Sequence, residues 1–403
     1  MNFSTLLILS LPIAAFGGAF VLSRLSLGAS LSVLLTFGYF SGVIRANFLS
    51  VFTTFMFDMA VLGVYLGVFL NQPELVNRMK RLSIVKWLLP LSLWPLFVAV
   101  FPVNDFLIQM LAFRSTVWLL PLMLLGAQVS EVDLKTLARV IAGLNICALI
   151  GGLYCYYFGV ESLYPKNAIT TIIYNSRDVA GGHLRIPSIF LSSAAYGSTM
   201  VASLPFIVNR LFHPKASGTE KLYMLAGLAS ACLGVALCAS RAPVAAAVII
   251  LVIVWIFSGF SIRVGLPIIL GFAVITVLIL SNERLQRVTS LTEQGTMTTR
   301  FRGSVNRNFV ELFFEYPFGA GMGSSVGTSI PYFLANRAPK AIGLENEYSR
   351  ILIDQGWIGL LLWVSFLFWV HVPWPKVKGI RSSFKFGTIM IYAASVSTWG
   401  TAV

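Results

Sequence analysis

Two kinds of side chain in this sequence are spaced so as to do chemistry: a pair of acids around an asparagine, and three groups of arginines. The acids are Glu345 and Glu347, on either side of Asn346 in GLENEYSRILIDQGWIGLLLW, residues 343–363. The stretch opens polar and continues as a hydrophobic segment from Ile351 to Val370. Carboxylates so near hydrocarbon are costly unless they have partners or a task. One reading is a helix start, with Asn346 as N-cap and acids in the first turn favoured by the helix dipole. The other is a general base for a hydroxyl, because burial at a membrane edge raises a glutamate from ~4.3 toward neutrality. Gly356 and Gly359, three apart in the following segment, leave one helix face bare for close packing.

The first arginine group is Arg177 and Arg185, with Asp178 and His183 between them, just ahead of an apolar segment at 187. Pro187 suits the first turn of a helix, which sets Arg185 at its mouth. The second is Ser240-Arg241, between two apolar segments joined by only a few residues. The third is Arg300, Arg302 and Arg307 in TTRFRGSVNRNF. A single arginine at a span end ordinarily snorkels to lipid headgroups. Several on one face suit an anionic lipid, above all a diphosphate, since guanidinium binds phosphate bidentately and stays charged. No metal or cofactor is expected. His183, His213 and His371 lack ligand spacing, and Cys147, Cys155, Cys232 and Cys238 sit in apolar stretches as packing residues.

These groups need a scaffold, and the composition supplies only one kind. Hydrophobic residues make up 57% of the 403 and charged residues 11%. The chain reads as one all-α polytopic membrane domain, 1–403, of about 11–12 helices, because many segments reach the ~20 residues a bilayer span needs. Spans are expected near 5–22, 27–44, 51–70, 87–103, 109–126, 137–159, 187–209, 222–239, 242–258, 264–281, 350–370 and 386–402. The run at 5–22 lacks a basic start and reads as the first span rather than a signal peptide. The net charge of +14 lies in short loops between spans. That is the positive-inside pattern, not a nucleic-acid footprint. Loops at 71–86, 210–221 and 371–385 are rich in lysine and arginine and read as cytoplasmic. Two longer loops, about 160–186 and 282–349, then face outward with all the candidate residues. The N-terminus falls outside if the first two segments both span, and inside if one is re-entrant. Within the long loop, residues 304–316 have helical apolar spacing and read as a helix on the membrane surface.

At these residues the sequence resembles the O-antigen ligase and O-antigen polymerase superfamily. The spacing from Asn346 to Gly356 and Gly359 is similar to its signature. LRIPSIFLSSAAYGSTM, CASRAPVAAAVIILVIVWI and TRFRGSVNRNFVELFFEYPFGAGMGSS resemble three further segments in the same order, together covering roughly 180–370. The resemblance implies a GT-C-like transferase of the bacterial cytoplasmic membrane, working on the outer face without nucleotide sugar. The donor would be an oligosaccharide on polyprenyl diphosphate. The acceptor would be a glycan or lipid-linked hydroxyl, and a chain-length regulator or flippase a possible companion. It also implies that Arg185 and Arg241 grip the diphosphate, with Arg300 or Arg302 assisting, and that position 345 activates the acceptor with Asn346 orienting it. Glu347, Arg177 and His183 are secondary candidates. Ligases typically carry a histidine where this chain has Glu345, and an acid is familiar among polymerase-like exopolysaccharide members.

A ligase acting on lipid A-core or a protein hydroxyl remains the alternative within the family. From another class, a transporter or flippase of a lipid-linked anion would fit the span number and scattered arginines. Transporters usually place polar groups mid-span. Here Asp58 is the clearest intramembrane ionisable residue, with Asp354 near a span end. A scaffolding subunit would need neither the ordered arginines nor the Glu-Asn pair.

Overall fold

The structure, a computed structural model, describes residues 3–101, 103–174, 184–257, 309–325, 330–337 and 347–371, with isolated positions between 265 and 285. Among these residues every regular element is helical: α1 (Phe3–Leu22), α2 (Leu27–Asn47), α3 (Val51–Thr54), α4 (Met56–Asn71), α5 (Pro73–Met79), α6 (Val85–Val100), α7 (Phe106–Val117), α8 (Leu122–Gly126), α9 (Glu131–Phe158), α10 (Thr171–Tyr174), α11 (Ser193–Leu211), α12 (Gly218–Leu237), α13 (Arg241–Phe257), α14 (Phe309–Glu315) and α15 (Glu347–His371). Five described stretches are long and apolar enough to cross a membrane: α2, Phe106–Gly126 across α7 and α8, α9, α12, and Glu347–Trp369 in α15. Ile8–Leu22, Val85–Val100 and Arg241–Val252 are shorter apolar helices. The chain is therefore an all-helical polytopic membrane protein, as its composition requires. The spans expected near 264–281 and 386–402 fall outside the described residues apart from isolated positions.

The chain forms two compact units. The first draws on Met1–Asn71 and Ser130–Thr292, the second on Gln72–Val129 and Glu293–Val377. In the first, α2, α9, α11, α12 and α13 share one core, with Tyr196, Met200, Leu204 and Ile250 wholly buried. A chain of polar groups crosses that core. Tyr39 Oη donates to Asn145 Oδ1 at 2.9 Å, and Asn145 Nδ2 donates to Ser203 Oγ at 2.7 Å. Such bonds join α2, α9 and α11 where hydrophobicity alone gives little reason for helices to associate in lipid. Gly63 and Gly67 let α4 approach α1, since a Cβ on either would fall 2.4 Å from Phe16 O or 2.5 Å from Ser23 Oγ. At the start of α9, Ser130 and Asp133 form a capping box, and Asp133 Oδ1 also accepts from Gly28 N at 2.7 Å, tying the start of α2 to α9. Glu220 is held by Arg210 at 2.7 Å and 3.0 Å and by Arg139 at 2.9 Å. The Arg210–Glu220 pair is buried, so it fixes geometry more than it adds stability.

One expected span is broken. The segment 51–70 divides at Phe55 into α3 and α4, and Asp58 stands in the first turn of α4 rather than in mid-span. Acids are favoured there by the helix dipole.

In the second unit, Val98, Ile108, Ala112, Met322 and Leu334 form a core beneath α6 and α7. α14 covers only part of the expected 304–316 helix, since 304–308 lie outside the described residues. Its Leu312 is fully buried, while Glu311 and Glu315 are exposed. Phe313 stacks on Trp357 of α15 at 4.8 Å.

Candidate functional site

Each unit carries part of the candidate set. In the first unit, α12 ends at Leu237 and α13 begins at Arg241, so the connector is only Cys238-Ala239-Ser240. The short link expected around Ser240-Arg241 is therefore present. Ala239 takes φ 47°, and Cys238 Sγ donates to Val235 O at 3.0 Å. Arg241, the first residue of α13, is half-buried.

Arg185 comes to the same turn by another route. Pro187 does not open a helix. Residues 184–187 have no regular secondary structure, 188–192 form a turn and bends, and α11 begins at Ser193, capped by Ser192 Oγ accepting from Ala195 N at 3.1 Å. The reason lies in Ser188, whose φ of 56° is incompatible with a right-handed helix. α11 then packs at the connector, because a Cβ on Gly197 would lie 2.6 Å from Cys238 Sγ and 2.7 Å from Pro243. The Arg185 guanidinium stands close enough to act on the Cys238 thiol, and its Nε is buried. So the charge of Arg185 bears on the turn from which Arg241 emerges, although 56 positions separate them in sequence. Ser188 and Ala239 are the two non-glycine residues with positive φ among those described. One lies three residues after Arg185 and the other two before Arg241. Such conformations cost on the order of 1–3 kcal/mol and persist where the surroundings enforce them, commonly at ligand clamps.

In the second unit, α15 is not continuous. Gly356 has φ 67° and ψ −167°, a break between two helical halves. The turn Pro317–Ser325 docks there. Ala320 N donates to Ile353 O at 2.6 Å and Trp357 N to Pro317 O at 2.9 Å, and Trp94 Nε1 of α6 takes Gln355 O at 2.9 Å. Non-helical backbone inside a membrane segment needs such partners. Asp354, expected as an acid near a span end, is buried and binds this turn. Its Oδ1 accepts from Ser325 N at 3.0 Å and its Oδ2 from Ser325 Oγ at 2.7 Å. Asn104 Nδ2 holds the same turn through Met322 O and Ser324 Oγ, both at 2.9 Å. The expected bare face for helix packing is thus a socket for a loop. A Cβ on Gly356 would meet Phe318 C at 2.5 Å, whereas one on Gly359 would meet Gln355 of its own helix.

At the head of α15, Glu347 accepts from Arg350 Nη1 at 2.8 Å, both half-buried. That partner was not foreseen, although the i,i+3 spacing was there to read. Glu345, Asn346, Arg300, Arg302, Arg177 and His183 lie outside the described residues. Among the described residues no group of three His, Cys, Asp or Glu is arranged to hold a metal ion.

Residues 226–364 match the family model described as O-antigen ligase. The match contains Arg241, Arg300, Arg302, Glu345–Glu347, the docked turn and the Gly356 break, and leaves Arg185 outside. No curated protein and no solved structure matches the chain.

Proposed function

We propose that this chain, whose residues 226–364 match the O-antigen ligase family model, is a polymerase. It joins oligosaccharide repeat units carried on polyprenyl diphosphate to a sugar hydroxyl, on the outer face of the bacterial cytoplasmic membrane. Arg185 and Arg241 hold the diphosphate and neutralise charge as it leaves, with Arg300 and Arg302 assisting. Stabilising charge where it develops is the largest single contribution such residues make. Glu345 accepts the proton of the attacking hydroxyl and Asn346 orients that hydroxyl. The acceptor oxygen bonds to the anomeric carbon, the bond from that carbon to the diphosphate oxygen breaks, and its electron pair leaves with the diphosphate. Attack opposite the leaving group inverts the anomeric centre.

The observation that carries this reading is that the Arg185 charge acts on the Cys238 thiol, three residues before Arg241. The ligase reading stands second, favoured by the description of the matching family. It differs only in the acceptor.

The test is transfer in vitro by purified protein in detergent, given a polyprenyl-diphosphate repeat unit and resolved by product size. Wild type is expected to build a ladder. Glu345→Gln is expected to lose about 10²-fold or more in rate, the usual contribution of a general base. Arg241→Ala is expected to insert normally and lose transfer. A single addition to a supplied lipid acceptor indicates the ligase. Normal rates in both variants overturn the site, and lipid movement across vesicles without product points to a transporter.

A further inference from the structure

Arg185 is carried on a strap rather than a helix. Residues 186–190 are all buried, with Ile186 and Ser188 almost entirely sealed. Backbone without its own hydrogen-bond ladder must find partners for each polar group in such surroundings. The partners come from three directions. Val43 N of α2 donates to Ile189 O at 3.1 Å, and Ser188 Oγ donates to Ala148 O of α9. Tyr164, wholly buried in the loop after α9, directs its hydroxyl at two strap carbonyls at once, Ser188 O and Phe190 O, each at 2.8 Å.

Tyr164 is itself fixed. The Tyr174 hydroxyl donates to Tyr164 O, and Asn47 Nδ2 donates to the neighbouring Leu163 O at 3.0 Å. Burial pushes the Tyr164 phenol above its ordinary value, so it remains a donor at any working pH. Space is closed as well. A Cβ on Gly42 would lie 2.7 Å from the backbone of 189–191, and one on Gly151 would lie 2.8 Å from Ile189. The strap can hold Ser188 at φ 56° only while these contacts stand, and Arg185 is three residues upstream.

We infer that Tyr164 is a positioning residue for the donor site: its hydroxyl locks the Ser188–Phe190 strap and so sets where the Arg185 guanidinium meets a diphosphate. This rests on the reading of Arg185 as a diphosphate ligand. Preorganised charge binds without the cost of ordering. Loosening the strap therefore weakens donor binding and leaves the acceptor chemistry intact.

Steady-state transfer with a polyprenyl-diphosphate oligosaccharide tests it, using Tyr164→Phe, Ser188→Ala, Arg185→Ala and Tyr39→Phe in the full chain. Tyr39→Phe removes a buried phenol of the same core whose bond goes to Asn145, so it controls for stability alone. Tyr164→Phe and Ser188→Ala are expected to raise the donor KM about fivefold with kcat within twofold, and Tyr39→Phe to leave KM unchanged. Wild-type KM in Tyr164→Phe beside an impaired Arg185→Ala overturns the inference alone. Equal KM shifts in Tyr164→Phe and Tyr39→Phe also overturn it, because the effect is then stability. A wild-type donor KM in Arg185→Ala overturns the reading of Arg185 and the inference with it.

Discussion

Asp354 shows how little a residue's type says about its work. In the sequence it is one acid among apolar neighbours, two positions before a glycine. In the fold it accepts both a backbone and a side-chain hydrogen bond from Ser325 and is buried. Asp354→Ala leaves two buried donors unsatisfied and is expected to destabilise the protein by about 2 kcal/mol. Ser325→Ala removes one of the two bonds and is expected to cost about 1 kcal/mol. Thermal unfolding in detergent checks both, and equal midpoints for wild type and Asp354→Ala would sink the account. Arg185 and Arg241 were legible as candidates from residue type and from their place ahead of apolar segments. Their common turn was not, because proximity across 56 positions is decided by helix packing. Tyr164 had no local signal at all. Its role depends on which carbonyls face it.

At the scale of the element, the break in α15 is the feature the sequence half declared. Two glycines three apart read as a smooth face for another helix. The structure uses Gly356 for its positive φ and gives the space to the turn at 317–319. Gly356→Ala must therefore strain the backbone and push against Phe318 and Pro317, while Gly17→Ala meets open space. The expected loss for Gly356→Ala is about 3 kcal/mol or more, whereas Gly17→Ala, inside α1, is expected to gain about 0.5–1 kcal/mol. Chemical or thermal unfolding of the two variants side by side decides it. An indifferent Gly356→Ala would mean that the break is not enforced. A similar lesson holds for Pro187, which looked like a helix start. Pro187 cannot donate a backbone hydrogen bond, and the left-handed Ser188 then ends any continuation, so α11 waits for Ser192 to cap it.

For the whole molecule, the charge pattern makes a prediction that helix geometry alone does not. Loops around Lys215 and Arg78 are expected on the cytoplasmic face, and α14 on the outer face. In a background without the four native cysteines, a cysteine at Lys215 should react with a membrane-impermeant thiol reagent only after cells are opened. A cysteine at Glu311, exposed on α14, should react in intact spheroplasts. The reverse pattern would move the candidate residues to the wrong face for a lipid-linked donor exported across the membrane.

The sequence by itself determined the class. At 57% hydrophobic and 11% charged, the chain can satisfy its backbone in lipid only as helices, because no other spanning element suits its pattern. It also named the arginines and the Glu-Asn-Glu cluster, since their charge near hydrocarbon demands an explanation, and it carried the resemblance later matched over residues 226–364. Tertiary structure decided the rest. It alone set the charge of Arg185 on the Cys238 turn, set Asp354 on Ser325, and opened α15 at Gly356. They arise where a helix is interrupted or where helices meet. Which partner is in reach is fixed by the packing of helices distant in the chain, and no local spacing encodes it.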